Sequence, residues 1–259
     1  MKTPTKYYGG KQRMTKNILP LIPPHHLYCE PFVGGGAIFW AKPPSSVEVI
    51  NDLSGDVTNF YQVCKRDFGM LRILVMSTPH SRKMHRQALM VIEHPDLHSS
   101  IKRAWAFWVL TNMGFAAVIG KGWGYEKKSN AFSMQIKNKR DRFGKWYQQR
   151  LDLVQIECND ALQVIKSRDT SDSFFYCDPP YYNSNCGHYE GYTEADYTAL
   201  LELLSRIKGK FLLSSYLSPV LEDYTKVLGW HTKTFRSAVA VNHKANKIKT
   251  EVLTANYSI

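Results

Sequence analysis

The tetrapeptide Asp178-Pro179-Pro180-Tyr181 places an acid, two prolines and an aromatic ring directly after the apolar run Phe174–Cys177. Such a run reads as a strand buried in a sheet. Paired prolines end it, because proline lacks an N–H, fixes φ and pushes the preceding residue out of the helical region. The chain must leave the sheet as a stiff, extended loop. Its carbonyls stay open to donors, the Asp178 carboxylate adds an acceptor, and Tyr181 and Tyr182 supply a flat apolar surface. Acceptors beside an aromatic face suit an amino group carried on a planar ring. The same residues would also make an ordinary strand end with a proline turn, and the tetrapeptide alone does not separate the two.

Further clusters carry binding chemistry. In Lys6-Tyr7-Tyr8-Gly9-Gly10-Lys11, two glycines permit close backbone approach to a ligand between lysines and aromatic faces. Gln12 after Lys11 excludes a Walker A loop, and a plain surface turn is the alternative. Tyr28–Val33 reads as a short strand running into Gly34-Gly35-Gly36, followed by a helix from Ala37 that ends at Pro43-Pro44. Strand, glycine turn and helix bring a nucleotide-like ligand to a helix N-terminus. Phe39 stands where a dinucleotide fingerprint needs its third glycine, so NAD fits poorly. The next strand, Val47–Ile50, ends in Asn51-Asp52, where an acid can accept both hydroxyls of a ribose. Asp52 could instead cap the helix predicted over Val57–Lys65.

The elements that must position these residues alternate β and α on both sides of a different middle segment. From Asp67 to about Arg150, helices are predicted over Met70–Met76, His80–Ile92 and Ile101–Met113, with no strand run. Gly120–Tyr125 follows, with Lys121 and Trp123 in it and Lys127, Lys128, Lys137, Lys139 and Arg140 downstream. Bases interleaved with glycines and aromatics suit phosphate contact and base stacking; a solvated surface is the alternative. The βα rhythm resumes with a strand at Val154–Cys158 ending in Asn159-Asp160, and a helix over Ala161–Arg168. After the Asp178 strand comes a polar loop, Asn183–Tyr192, then a capping box from Thr193 to Asp196 that opens a helix. A strand at Lys210–Tyr216 and a helix at Val220–Leu228 precede terminal strands near His231–Phe235 and Glu251–Tyr257. A basic segment around Lys244, Lys247 and Lys249 joins those two strands. The expected fold is α/β: a doubly wound, Rossmann-like sheet with an antiparallel pair at its end and an inserted, mainly helical domain. The expected division is residues 1–66 and 151–259 in one catalytic domain, and 67–150 in the insertion.

Bulk composition agrees with this. The 259 residues are 44% hydrophobic, enough for a sizeable core. Lys and Arg exceed Asp and Glu by 34 to 22, and the net charge of +12 favours a polyanion such as nucleic acid. No signal peptide core opens the chain. The uncharged stretch Ala104–Gly120, interrupted by Asn112 and Gly114, falls short of the ~18 apolar residues of a membrane span and reads as a buried helix. Five scattered cysteines predict reduced thiols in a cytoplasmic protein without a metal site, with Cys29, Cys158 and Cys177 in the core. Strand-end loops of a doubly wound sheet share one rim, so the glycine loop, Asp52, Asp160 and Asp178 should converge.

Taken in order, Lys6–Lys11, Glu30-Pro31-Phe32-Val33-Gly34-Gly35-Gly36, Asn51-Asp52 and Asp178-Pro179-Pro180-Tyr181 resemble the motif series of the Dam-like DNA adenine-N6 methyltransferases, the alpha group of amino-methyltransferases. The resemblance covers nearly the whole chain, including the final strand Thr250–Tyr257, and the basic insertion falls at that family's target-recognition domain. It implies an S-adenosylmethionine-dependent enzyme that flips an adenine out of duplex DNA. Tyr7, Lys11, Phe32, Gly34, Gly36, Asp52, Asp160 and Asp178 would serve the cofactor. Asp178 and the Pro179 carbonyl would hold the target amine, with Pro180 stiffening the loop and Tyr181 stacking on the base. Lys121, Trp123, Lys127, Lys128, Lys137, Lys139 and Arg140 would meet DNA in the cytoplasm of a bacterium or phage-infected cell, at the nucleoid. The roles open to it are host regulation, restriction-modification and phage self-protection. Asn112-Met113-Gly114-Phe115 resembles the start of the recognition segment, but Ala131-Phe132-Ser133-Met134 replaces the Phe-Asn-x-Pro-Phe-Gly pattern of GATC readers. A different site or relaxed specificity follows. A cytosine-N4 methylase, an RNA adenine methylase and a non-catalytic DNA-binding relative are the alternatives.

Overall fold

The computed structural model describes residues 1–182, 192–235 and 251–259. The loop expected from Asn183 onward, the basic segment with Lys244, Lys247 and Lys249, and Cys186 lie outside the described residues. The strands are β1 (Leu27–Glu30), β2 (Val47–Asn51), β3 (Gln155–Glu157), β4 (Ser173–Cys177), β5 (Lys210–Tyr216), β6 (His231–Phe235) and β7 (Glu251–Ala255). The helices are α1 (Thr15–Ile18), α2 (Ala37–Ala41), α3 (Gly55–Arg66), α4 (Phe68–Met76), α5 (Arg82–Glu93), α6 (Ser100–Met113), α7 (Ala131–Asp141), α8 (Trp146–Leu151), α9 (Ala161–Arg168), α10 (Glu194–Leu204) and α11 (Pro219–Leu228).

The seven strands form one sheet of order β3-β2-β1-β4-β5-β7-β6. Neighbours from β2 to β5 run parallel, while β7 is antiparallel to both β5 and β6. This is the expected doubly wound sheet, with its antiparallel pair formed by β7 slotting beside β5. The order reverses between β1 and β4, and in open α/β sheets ligands bind outside the carboxyl ends of strands at such a point. β4 is buried along its whole length, as a central parallel strand must be, and the edge strand β6 is mostly exposed and polar.

By contacts the chain divides into two compact units. One gathers Pro20–Phe32, Ser45–Asn51 and Asn159–Ile259. Its core joins Cys29, Val49, Phe175, Cys177, Phe211 and Leu213 on strands to Val164, Ile165, Leu200, Leu201 and Leu221 on α9, α10 and α11. The capping box is present: Thr193 accepts from the Asp196 N–H, and the Asp196 carboxylate accepts from the Thr193 N–H.

The other unit gathers Met1–Leu19, Val33–Pro44 and Asp52–Cys158 and is mainly helical. Its centre is α6, buried from Ala104 through Met113, which explains the long uncharged stretch. Among the described residues, no helix is long and apolar enough to cross a membrane. Ser81 and Ser99 cap α5 and α6 through their side chains. Cys29, Cys64 and Cys177 are buried and Cys158 is exposed. The expectation for Cys158 is thus corrected: β3 has only three residues, and the chain is already at the surface where it ends.

Candidate active site

In the helical unit, the glycine loop is shaped by two left-handed residues, Gly34 at φ 45° and Gly36 at φ 63°. A side chain at either would be strained, and a Cβ on Gly34 would lie 2.7 Å from Cε1 of the Tyr7 ring. Tyr7 therefore packs directly on the loop. It opens a turn closed by the Gly10 N–H on the Tyr7 carbonyl at 3.1 Å, with Gly9 at φ 72°. The turn's approach is anchored from α6: fully buried Asn112 accepts from the Lys6 N–H at 3.2 Å and donates to the Pro4 carbonyl at 3.3 Å. Lys11 is buried, and its ammonium donates to the Gly9 carbonyl at 3.2 Å.

Asp52 closes the same loop. Its Oδ2 accepts from the Gly34 N–H and its Oδ1 from the Ser54 N–H, both at 2.9 Å. Ser54, not Asp52, occupies the N-cap position of α3. Asp52 is thus tied to the glycine loop and does not cap α3, the alternative that the sequence left open. Burial pushes its pKa upward, and the two backbone donors oppose that shift.

In the sheet unit, Asn51 is fully buried at the end of β2. It donates to the carbonyls of Pro31 and Asn159 at 2.9 and 3.0 Å and accepts from the Asn159 N–H at 2.9 Å. This side chain fixes the approach to Asp160, which is exposed and caps α9 by accepting from the Gln163 N–H. At the start of the Glu30-Pro31-Phe32 motif, buried Glu30 accepts from the Tyr28 hydroxyl at 2.5 Å. Phe32 packs, partly buried, against the sheet core.

The Asp178 loop leaves β4 with Pro179 buried and Asp178, Pro180 and Tyr181 half-buried. The Tyr181 hydroxyl lies 3.3 Å from Asp178 Oδ1, 2.9 Å from Ser214 Oγ on β5 and 3.1 Å from Glu251 Oε1 on β7. Tyr216 meets its ring edge-to-face at 4.5 Å. Burial first, then the charges of Asp178 and Glu251, hold the phenol well above its usual pKa, so it stays protonated. Tyr182 instead packs on Tyr197, 5.3 Å between rings, and belongs to the core. Ser214, Tyr216 and Glu251 escaped sequence reading; the signal that could have found them is an acid at the head of an otherwise apolar strand.

The family model of the D12 class N6 adenine-specific DNA methyltransferases matches residues 7–252. The chain belongs to this family. It is similar to the type II methyltransferase M1.LlaDCHI of Lactococcus lactis subsp. cremoris, 26% identical over 280 residues that cover 98% of this chain and 94% of that one. The DNA N-6-adenine-methyltransferase of Escherichia phage P1 is 27% identical over 194 residues, 68% of this chain and 23% of its own length. Among solved structures, the rRNA methyltransferase aviRa from Streptomyces viridochromogenes aligns over 95% of this chain and 84% of its own, with TM-score 0.34 and 10% identity. As a D12 class member the chain is an adenine-specific DNA methyltransferase, and the cytosine-N4 and RNA alternatives fall away.

A DNA methyltransferase needs cations facing its polyanionic substrate, and the predicted basic residues of the insertion differ in this respect. Lys121, Lys127, Lys128 and Lys137 are exposed, Lys137 pairing with Asp141 at 2.6 Å along α7. Arg140 donates to the Thr78 carbonyl at 2.7 Å, and Lys139 to the Thr3 carbonyl at 3.0 Å. Burial, with Lys6, Arg142 and Lys2 nearby, lowers the Lys139 pKa to about 7. Trp123 stacks on Tyr125 at 5.4 Å, and the guanidinium of Arg82 lies 4.9 Å from its ring. His80 bonds Ser133 Oγ and the Gly124 carbonyl, both at 2.9 Å, and so joins the first turn of α7 to the glycine-rich segment. Arg82 and His80 lie in the helical run before that segment, where nothing in the sequence marked them.

Proposed function

We propose that the protein methylates the N6 amine of an adenine flipped out of duplex DNA, with S-adenosylmethionine as donor. The observation that carries this reading is the Asp178-Pro179-Pro180-Tyr181 loop at the carboxyl end of the buried central strand, its tyrosine held by β5 and β7. Bound S-adenosylmethionine supplies an electrophilic methyl group. The residues present fit such a donor. Each oxygen of Asp52 accepts a single backbone N–H, and a carboxylate has about four lone-pair sites, so capacity remains for ribose hydroxyls. The left-handed glycines let the loop turn tightly beneath the Tyr7 ring. Asp52 binds the ribose, Tyr7, Lys11, Phe32, Gly34 and Gly36 line the methionine side, and Asp160 serves the adenine.

An adenine amine is a weak nucleophile because its lone pair is delocalised into the ring. Asp178 and the Pro179 carbonyl accept its two hydrogens in a tetrahedral arrangement, which aims lone-pair density at the methyl. Orientation and preorganised acceptors then supply the rate. Tyr181 stacks on the flipped base, offsetting by roughly 1–3 kcal/mol the few kcal/mol that flipping costs. Residues 67–150 act as the target-recognition insertion, with Lys121, Trp123, Lys127, Lys128 and Lys137 at the DNA and Lys139 and Arg140 bracing α7, which carries Lys137. The enzyme works in the cytoplasm, where duplex DNA and the donor meet.

The sequence read is not GATC alone, because Ala131–Met134 forms the first turn of α7 in place of the GATC-reading pattern. The test is plasmid DNA treated with protein and donor, then digested with methylation-sensitive nucleases. Protection of adenine-containing sites beyond GATC is expected. Protection confined to GATC would contradict the specificity reading, and absence of protection at any adenine site would contradict the function.

A further inference from the structure

Arg82 is exposed, and among the described residues it makes no hydrogen bond or ion pair. Its guanidinium is nevertheless held in place, 4.9 Å from the centroid of the Trp123 ring and 5.5 Å from that of Tyr125. Both distances fall within the about 6 Å over which an aromatic face attracts a cation. The two rings stack at 5.4 Å with planes 14° apart, so one nearly parallel pair carries the guanidinium. This platform is itself anchored. The Phe115 and Gly124 N–H groups donate to the carbonyls of Gly122 and Met113, both at 2.8 Å, and set Trp123 in a bridge opposite Gly114 at the end of α6. The Gly124 carbonyl accepts from Nε2 of His80 at 2.9 Å, and a Cβ on Gly124 would stand 2.6 Å from the Phe132 ring, so α7 packs directly on this backbone. Arg82 and Lys83 are the first two residues of α5, and no acid stands in that first turn. Cations at a helix N-terminus oppose the macrodipole, so the placement costs stability. An anion approaching from outside meets the guanidinium and the positive helix end together.

We infer that Arg82 is a DNA-contacting residue of the insertion: the Trp123–Tyr125 pair fixes the plane of its guanidinium and leaves its N–H edge to take a pair of acceptors on the duplex. This rests on the reading that residues 67–150 meet DNA. A guanidinium carries five N–H donors in a rigid fork, and stacking uses its face while leaving those donors open. Two groups on DNA present the matching pair of acceptors: O6 and N7 of a guanine in the major groove, and two oxygens of one phosphate. Ordering the side chain before contact lowers the entropy lost on binding. The exposed Lys127 and Lys128 are point charges on flexible stems, which attract the duplex without direction. The stacked fork adds direction. Trp123, half-buried, then works at the DNA through the arginine it carries.

The test is equilibrium binding of duplex DNA across salt concentrations by Arg82→Met and Tyr125→Leu, singly and together. Thermal melting of each variant and sequencing of the adenines it methylates in plasmid DNA accompany it. Loss of one bidentate contact predicts about tenfold weaker binding by Arg82→Met with an unchanged melting temperature. Tyr125→Leu should weaken binding about threefold when Arg82 is present and less than about 1.5-fold in the Arg82→Met background, because the ring acts through the guanidinium it holds. A guanine contact shows as relaxed base choice at one guanine position of the sites methylated by Arg82→Met. A phosphate contact shows as an equal loss on every sequence and a salt slope lower by about one. Either result supports the inference. Unchanged affinity in Arg82→Met, or an equal loss from Tyr125→Leu in both backgrounds, overturns it. If Arg82→Met melts early, Arg82→Leu takes its place with the same expectations. Lys127→Ala and Lys128→Ala run alongside. If they too leave the salt slope unchanged, the insertion does not meet DNA, and that reading falls together with the inference. A lower slope in the lysine variants with wild-type binding by Arg82→Met overturns the inference alone.

Discussion

Asp52 and Asp178 each stand one residue beyond a parallel strand, yet the fold holds them by opposite means. Asp52 is gripped by backbone: the Gly34 and Ser54 N–H groups each take one of its oxygens. Asp178 meets a side chain, the Tyr181 phenol, whose own partners lie on β5 and β7. Backbone donors cannot rotate away, so the first acid has a fixed shape suited to binding. A hydroxyl can rotate, and this one contacts residues distant in sequence, Ser214 and Glu251. On the function proposed above, one carboxylate serves affinity and the other reactivity.

Substitutions should divide along that line. Asp178→Ala is expected to remove methyl transfer by about a thousandfold or more, the scale seen when a preorganised electrostatic partner is lost. Melting temperature and DNA binding should stay near wild type. Single-turnover transfer of labelled methyl measures the loss, and a small effect would erase the distinction between the two acids. Asp52→Ala should act on affinity, raising the Kd for S-adenosylmethionine by about 10–100-fold, roughly 1–3 kcal/mol, with kcat at saturation preserved. Titration calorimetry reads this directly, and unchanged affinity would remove the ribose assignment. Gly34→Ala should weaken the same binding by about tenfold, since a side chain at φ 45° is strained by about 1–3 kcal/mol and its Cβ meets Tyr7.

The insertion offers a gentler contrast, between exposed and half-buried cations. Each of Lys121→Ala, Lys127→Ala and Lys128→Ala should lower the salt slope of DNA binding by about one. Lys139→Met should leave the slope unchanged and affect stability instead. Burial pulls Lys139 down to about 7 from 10.5, so the folded state binds fewer protons than the unfolded state between those values. The wild type therefore gains stability relative to Lys139→Met as pH rises from 7 toward 10.5. Melting curves at pH 6 and pH 10 should show the Met variant ahead by a few degrees at the lower pH and not at the higher. A lead that does not change with pH would contradict a half-buried lysine that titrates near 7.

Much of this is legible in the sequence, because it is written in local patterns. The apolar run Phe174–Cys177 before Asp178 lies in β4, the helix over Ala161–Arg168 has the predicted bounds, and the capping box at Thr193 forms as expected. The glycine loop could be read because only glycine tolerates its backbone. The remainder depends on which side chains meet across strands or helices, and periodicity reports a face without naming its partners. Glu251 reaches Tyr181 from a strand that enters the sheet out of sequence order, between β5 and β6. Lys139 and Arg140 read as part of a DNA-facing basic run, yet helical rotation turns their tips toward the carbonyls of Thr3 and Thr78. Asn112 read as an interruption of an apolar helix and is the clamp that steadies the approach to Tyr7.

The central claim is that Asp178 holds the amine that becomes methylated. Its most direct test is mass spectrometry of nucleosides from defined duplex DNA incubated with donor and either wild type or Asp178→Ala. N6-methyladenine from the wild type, and none above background from an Asp178→Ala protein that still binds the duplex, is the expected result. N4-methylcytosine as the product, or N6-methyladenine formed equally by both proteins, would contradict it.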